Sequence, residues 1–145
     1  MAIAQRSAEC TWRGDLADGS GTVSGASGAL TDLEVTWASR TEHSNGKTSP
    51  EELVAAAHAS CFSMALANEL AQAGNPPEQL DVSARVTLDR KDEAPTVTTS
   101  ELTVSGRVPG IDQEAFTKAA TDAGRNCPLS RALGGVEISV RATLS

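Results

Sequence analysis

Hydrophobic and polar positions change rhythm along this chain, from weak alternation to an uncharged run and back to clear alternation. Residues 9–13, 21–24 and 33–39 carry short β-type patterns. The stretches GDLADGSG and SGASGAL around them hold the residues expected of hairpin turns. Residues 53–68 then pass without one charged side chain. Ser49 is placed to cap a helix over this run, Pro50 suits its first position, and Glu52 completes a capping box with Ser49. Gly74, followed by Asn75-Pro76-Pro77, stops it. About 24 residues at 1.5 Å each make a helix of roughly 36 Å. Lacking charge all round, this helix is expected to be central and buried.

Alternation returns after the helix. Leu80, Val82, Ala84, Val86 and Leu88 alternate with polar residues, and residues 96–108 form a second Thr- and Val-rich strand. Lys91-Asp92-Glu93-Ala94-Pro95 links the two as a hairpin. Asp112 caps a helix over residues 113–122 that Gly124 closes, and a short helix starts at Cys127-Pro128 and ends near Gly134-Gly135. Val136, Ile138, Val140, Ala142 and Leu144 make a last strand. The order of strands, helix, strands, helices and strand indicates an α+β fold with antiparallel sheets, in a single domain of residues 1–145.

Composition narrows the function classes. A formal net charge of −7 argues against binding to a phosphate backbone, which needs clustered Lys and Arg. The N-terminus lacks the apolar segment of a secretory signal, and LVAAAHASCFSMALA is short for a membrane span, so a cytoplasmic protein is expected. Three cysteines, Cys10, Cys61 and Cys127, stand far apart and outside any CxxC pattern. Neither a zinc site nor a secreted disulfide framework is favoured, which leaves reduced thiols.

Two of these thiols invite a chemical reading. Cys127 lies at a helix start, where unpaired N–H groups favour an anionic sulfur, although a small packing residue would also sit there. Cys61 falls in mid-helix among Ala, Met and Leu, where a thiol is ordinarily inert packing unless a cation is brought to it. Glu51, Val54, His58, Cys61 and Ala65 recur on one helical stripe. Glu51 either interacts with the helix dipole or takes a cationic partner such as Arg40. His58, one turn before Cys61, is a packing residue or the base of a Cys–His pair. His43 reads as a loop residue and Cys10 is assigned no role. Glu51 and Cys61 are ten residues apart, about 15 Å along one helix, and cannot meet within a chain. Two copies of the helix crossing antiparallel about Ala56 would join them, so if Glu51 serves Cys61 the protein is a homodimer with composite sites.

The segment TSPEELVAAAHASCFSMAL resembles the signature of the OsmC branch of the OsmC/Ohr hydroperoxide reductases. TWRGDLADGSGTVS, TWASR, VTLDRKD and VPGIDQEAFTKAATDAGRNCPLSRAL extend the resemblance over nearly the whole chain. It implies a thiol-dependent peroxidase without metal, haem or flavin, with Cys61 as peroxidatic and Cys127 as resolving cysteine. Arg40 and Glu51 match the pair that organises the reactive sulfur. The implied fold is an intertwined homodimer with two long central helices enclosed by antiparallel sheets. His58 matches the OsmC branch, where the Ohr branch typically carries Tyr. The expected substrates are organic hydroperoxides, and more weakly hydrogen peroxide, with Val54, Phe62 and Met64 as apolar candidates beside the thiol. The expected reductant is an external dithiol of lipoyl type. Two other readings stay open on the residues alone: a Cys–His hydrolase or acyl-transfer enzyme using Cys61 and His58, and a non-catalytic dimer.

Overall fold

The weak alternation of the first fifty residues does build strands. In the computed structural model, which describes residues 1–145, β1 (Ala8–Arg13), β2 (Ser20–Gly25) and β3 (Leu33–Val35) form a three-stranded antiparallel sheet in that order. Every residue of β1 is exposed, including Ala8, Cys10 and Trp12, which share one face of the strand. The third strand stops earlier than its pattern suggested. Trp37–Thr41 is a helix, α1, because Thr36 and Ser39 form a reciprocal capping box. The Ser39 N–H donates to Thr36 Oγ1 at 3.0 Å, and the Thr36 N–H donates to Ser39 Oγ at 2.9 Å. Two orphan donors at the helix start are satisfied at once, which outweighs the β propensity of Val35-Thr36-Trp37. These elements belong to the first of two compact units, residues Met1–Pro50.

The second unit, Glu51–Ser145, carries the long helix and a second sheet. Helix α2 spans Pro50–Gln72. Gly74, at φ 87°, takes the left-handed conformation past its end, and the Asn75 N–H returns to the Leu70 carbonyl at 2.8 Å. By length and composition alone, this helix is long and apolar enough to cross a membrane, more than the apolar run by itself suggested. Here it is a core helix with one buried face, composed of Glu51, His58, Phe62, Leu66 and Leu70. The expectation of burial all round is not met within one chain. Ala56, Ala57, Ser60 and Met64 are exposed, Met64 at 73 %.

Strands β4 (Gln79–Lys91) and β5 (Ala94–Arg107) form the expected hairpin, with Asp92 and Glu93 both at positive φ in its turn. The last strand, β6 (Glu137–Leu144), lies on the other side of β5 and runs parallel to it, so this sheet is mixed. A helical crossover accounts for the direction: α3 (Gln113–Asn126) and α4 (Pro128–Ala132) carry the chain back before β6 begins. Asp112 caps α3 as expected, its Oδ1 accepting the Ala115 N–H at 2.8 Å. Gly124 does not close α3, which runs on to Asn126. The glycine instead gives room, since a Cβ built there would stand 2.5 Å from Val140 Cγ2. Phe62, Leu66 and Leu70 from α2 share one core with Leu102 and Val104 of β5, and with Phe116, Ala120 and Ala123 of α3. Phe62, being fully buried in this core, cannot line a path for substrate.

Candidate active site

The junction of α3 and α4 is set by Cys127-Pro128. Proline lacks an N–H and disfavours helical backbone in the residue before it. Cys127 accordingly adopts φ −59° and ψ 136°, ending one helix and starting the next. Its N–H closes α3 on the Ala123 carbonyl at 2.9 Å. Its sulfur caps α4, accepting the Ser130 N–H at 3.4 Å. The side chain is fully buried, so the helix-start position read from the sequence is a closed pocket rather than a surface.

Cys61 is brought to the same place. The core face of α2 runs through His58 and Phe62, and Cys61 lies on its flank, half-buried. Cys127 lies close enough to Cys61 to act on its titration, and both thiols are free. Burial pushes the Cys61 thiol above its ordinary range; the Leu129 N–H aimed at the sulfur works against this, and Cys127 beside it adds to it. Left to these groups alone, Cys61 is protonated at neutral pH, so reactivity requires a cation. Chemically, two neighbouring thiols can close to a disulfide when one sulfur is oxidised.

His58 does not form the Cys–His pair with Cys61. The imidazole is fully buried, and its two ring nitrogens are engaged by hydroxyls: Nδ1 with Ser100 Oγ at 2.7 Å and Nε2 with Ser130 Oγ at 2.8 Å. Ser130 Oγ lies in turn 3.3 Å from Cys127 Sγ. Burial lowers the His58 pKa, so the ring is neutral at physiological pH. Ser100 and Ser130 were missed in the sequence. They stand 42 and 72 residues from His58, and no local pattern announces such a partnership.

The remaining candidates are placed as follows. Glu51, the second residue of α2, is buried at 8 % exposure. Arg40 lies in the last turn of α1, its guanidinium carbon 6.0 Å from the centre of the Trp37 ring, in the N-terminal unit. Cys10 is exposed on β1. No group of three or more His, Cys, Asp or Glu side chains is arranged to hold a metal ion.

An α+β fold in which a thiol on a core helix faces a second thiol at a helix junction defines a class of paired-cysteine proteins. Within it, the chain belongs to the OsmC-like protein family, whose sequence model matches residues 43–141. It is 43 % identical over 122 residues to Peroxiredoxin OsmC of Escherichia coli K12, covering 84 % of this chain and 85 % of that protein. The protein of the same name from Shigella flexneri matches equally. Among solved structures, the organic hydroperoxide resistance protein OhrB of Bacillus subtilis superposes with a TM-score of 0.75 at 24 % identity, covering 94 % of this chain and 98 % of that one. An organic hydroperoxide resistance protein from Elizabethkingia anophelis gives the same TM-score at 23 % identity, over 99 % and 100 % of the chains. These two likenesses speak to the fold.

Proposed function

We propose that this chain is a thiol-dependent peroxidase that reduces organic hydroperoxides, and hydrogen peroxide more weakly, through Cys61 and Cys127. The observation that carries the reading is the meeting of the two thiols, in a chain whose 43 %-identical relatives are named peroxiredoxins. The Cys61 thiolate attacks the distal peroxide oxygen. An S–O bond forms, the O–O bond breaks, and the departing alkoxide takes a proton and leaves as alcohol. Cys127 then attacks the sulfur of the Cys61 sulfenic acid, releasing water and closing a disulfide. An external dithiol, of lipoyl type, reduces that bond by exchange. No metal or organic cofactor enters the cycle.

Arg40 supplies the cation that Cys61 needs. Its guanidinium stabilises the thiolate and the charge on the departing oxygen, and Glu51 holds it by a planar contact. Since Glu51 and Cys61 of one helix are about 15 Å apart, the site is composite, built in a homodimer whose α2 helices cross near Ala56. The uncovered, uncharged face of Ala56, Ala57, Ser60 and Met64 supports that arrangement. Val54 and Met64 remain as apolar groups favouring an organic substituent on the peroxide. The cytoplasm, where reduced dithiols are plentiful, is the compartment that suits this cycle.

One experiment tests the reading against its rivals. Reduced protein receives one equivalent of organic hydroperoxide, and cysteine states are mapped by mass spectrometry. A Cys61–Cys127 bond is expected, with a trapped Cys61 sulfenic acid in Cys127→Ser. A non-catalytic dimer yields neither product, and a Cys–His hydrolase requires His58 for turnover but not Cys127. The hydrolase is also disfavoured by the engagement of both His58 nitrogens with serine hydroxyls.

A further inference from the structure

A file of hydrogen-bonding groups runs through the core behind the two thiols. Ser100 Oγ, His58 Nδ1, His58 Nε2, Ser130 Oγ and Cys127 Sγ follow one another at 2.7, 2.8 and 3.3 Å, the ring itself joining its two nitrogens. His58, Ser100 and Cys127 are fully buried and Ser130 is 8 % exposed. A buried imidazole must have both nitrogens satisfied, and here both partners are hydroxyls, which accept and donate at once and so can pass a proton on where a carbonyl could not. The file ends on Cys127, not on Cys61, so the group it serves is the resolving thiol.

We infer that His58, acting through the Ser130 hydroxyl, is a positioning residue that receives the Cys127 proton when this thiol attacks the Cys61 sulfenic acid. The inference rests on the peroxidase reading above and assigns it a second device, distinct from the arginine that serves Cys61. Burial keeps the ring neutral, so one nitrogen holds an open lone pair. With Nδ1–H donating to Ser100 Oγ, Nε2 accepts the Ser130 O–H, and Ser130 Oγ accepts the Cys127 S–H. The Ser130 N–H already donates to the Cys127 sulfur, which fixes its lone pairs relative to α4 and steers the S–H toward the hydroxyl.

The step balances without any further reagent. As the Cys127 electron pair forms the S–S bond, its S–H proton passes to Ser130 Oγ, and the Ser130 hydroxyl proton passes to His58 Nε2. The S–O bond of the sulfenic acid breaks with its electron pair on oxygen, and hydroxide departs. Once His58 gives up its proton, the hydroxide is neutralised to water. The sum is sulfenic acid plus thiol giving disulfide plus water. The oxidising equivalent is the one already delivered by the peroxide. Because burial disfavours the imidazolium, the proton does not stay on the ring, and His58 is ready for the next turnover.

The test separates the two chemical steps. Wild-type protein, Ser130→Ala, Ser130→Thr and His58→Gln are mixed with one equivalent of cumene hydroperoxide and quenched at intervals. Sulfenic acid is trapped with dimedone, disulfide is quantified by mass spectrometry, and melting temperatures are recorded. In Ser130→Ala the ratio of the disulfide-forming rate to the sulfenic-acid-forming rate is expected to fall at least tenfold. Ser130→Thr, which keeps the hydroxyl, should recover most of that loss. His58→Gln, which keeps a hydrogen bond but offers no basic nitrogen, should resemble Ser130→Ala. An unchanged ratio in Ser130→Ala overturns the inference, as does an equal slowing of both steps in Ser130→Ala and Ser130→Thr, the mark of a loosened core. If His58→Gln does not fold, the serine pair still decides the matter. Absence of Cys61 oxidation in the wild-type protein would instead sink the peroxidase reading itself, and this inference with it.

Discussion

Gly124 lies inside α3 with its Cα turned toward β6, and replacing it by alanine tests how tightly the helix is seated. An ideal Cβ at this position stands 2.5 Å from Val140 Cγ2, 3.8 Å from Val140 Cβ and 3.9 Å from Phe62 Cε2. Ordinary contact begins at 3.4 Å, so the first separation must open by 3.4 − 2.5 = 0.9 Å. Val140 cannot readily yield, because a β-branched side chain on a strand is stiff at χ1. Forcing a methyl into such packing costs about 1–3 kcal/mol. Alanine recovers about 1 kcal/mol of helix propensity over glycine. The net expectation for Gly124→Ala is a loss of about 0–2 kcal/mol, with a midpoint near 1 kcal/mol and a fall in melting temperature of about 2–4 °C. Urea unfolding of Gly124→Ala, Val140→Ala and the double variant measures this directly. The double variant should be more stable than additivity predicts by about 1 kcal/mol, since the smaller side chain removes the clash. A Gly124→Ala protein more stable than wild type by about 1 kcal/mol, with no coupling to position 140, would show that α3 stands off the sheet and refute the reasoning.

Two further outcomes are expected. Cys127→Ser should lower the pH at which Cys61 becomes alkylated by iodoacetamide, because Cys127 raises the Cys61 pKa by its hydrogen bond and charge. The sign follows from the thiolate being the reactive form: a lower pKa moves the rise in alkylation rate to lower pH. An unchanged or higher midpoint counts against the pairing. Arg40→Ala should lower kcat/KM for an organic hydroperoxide by about a hundredfold or more, the scale of one lost charge-stabilising donor in an enclosed site. Arg40→Lys should recover only part of it, since an ammonium group lacks the planar fork. Steady-state turnover with a dithiol reductant provides the measurement, and a fully active Arg40→Ala would remove the proposed source of thiolate stabilisation.

The long helix shows how legibility depended on local signals. Pro50 at its start and Gly74 past its end are short-range chemistry, and both ends fall where those residues put them. The hairpin through Asp92 and Glu93 and the cap at Asp112 were equally readable. Local signals also misled where a second local signal competed. Thr36 and Ser39 made a helix out of what looked like the end of a strand. Gly124 read as a stop because glycine usually ends helices, whereas here it serves close contact with Val140, a residue on a distant strand. Similarly, Phe62 and Cys61 are adjacent in sequence and indistinguishable by composition. Only the rotation of α2 on the sheet sends Phe62 into the core and leaves Cys61 at its edge.

By itself, the sequence determined most of the elements, the α+β class and the identity of the two candidate sulfurs, since periodicity, capping and motif are properties of neighbouring residues. Tertiary structure alone decided that β6 runs parallel to β5, that Cys127 meets Cys61, and that His58 turns away from Cys61 toward Ser100 and Ser130. The physical reason is separation along the chain. A buried imidazole must satisfy both nitrogens, but nothing in its own helix says which hydroxyls, 42 and 72 residues away, the packing of the core will bring to it.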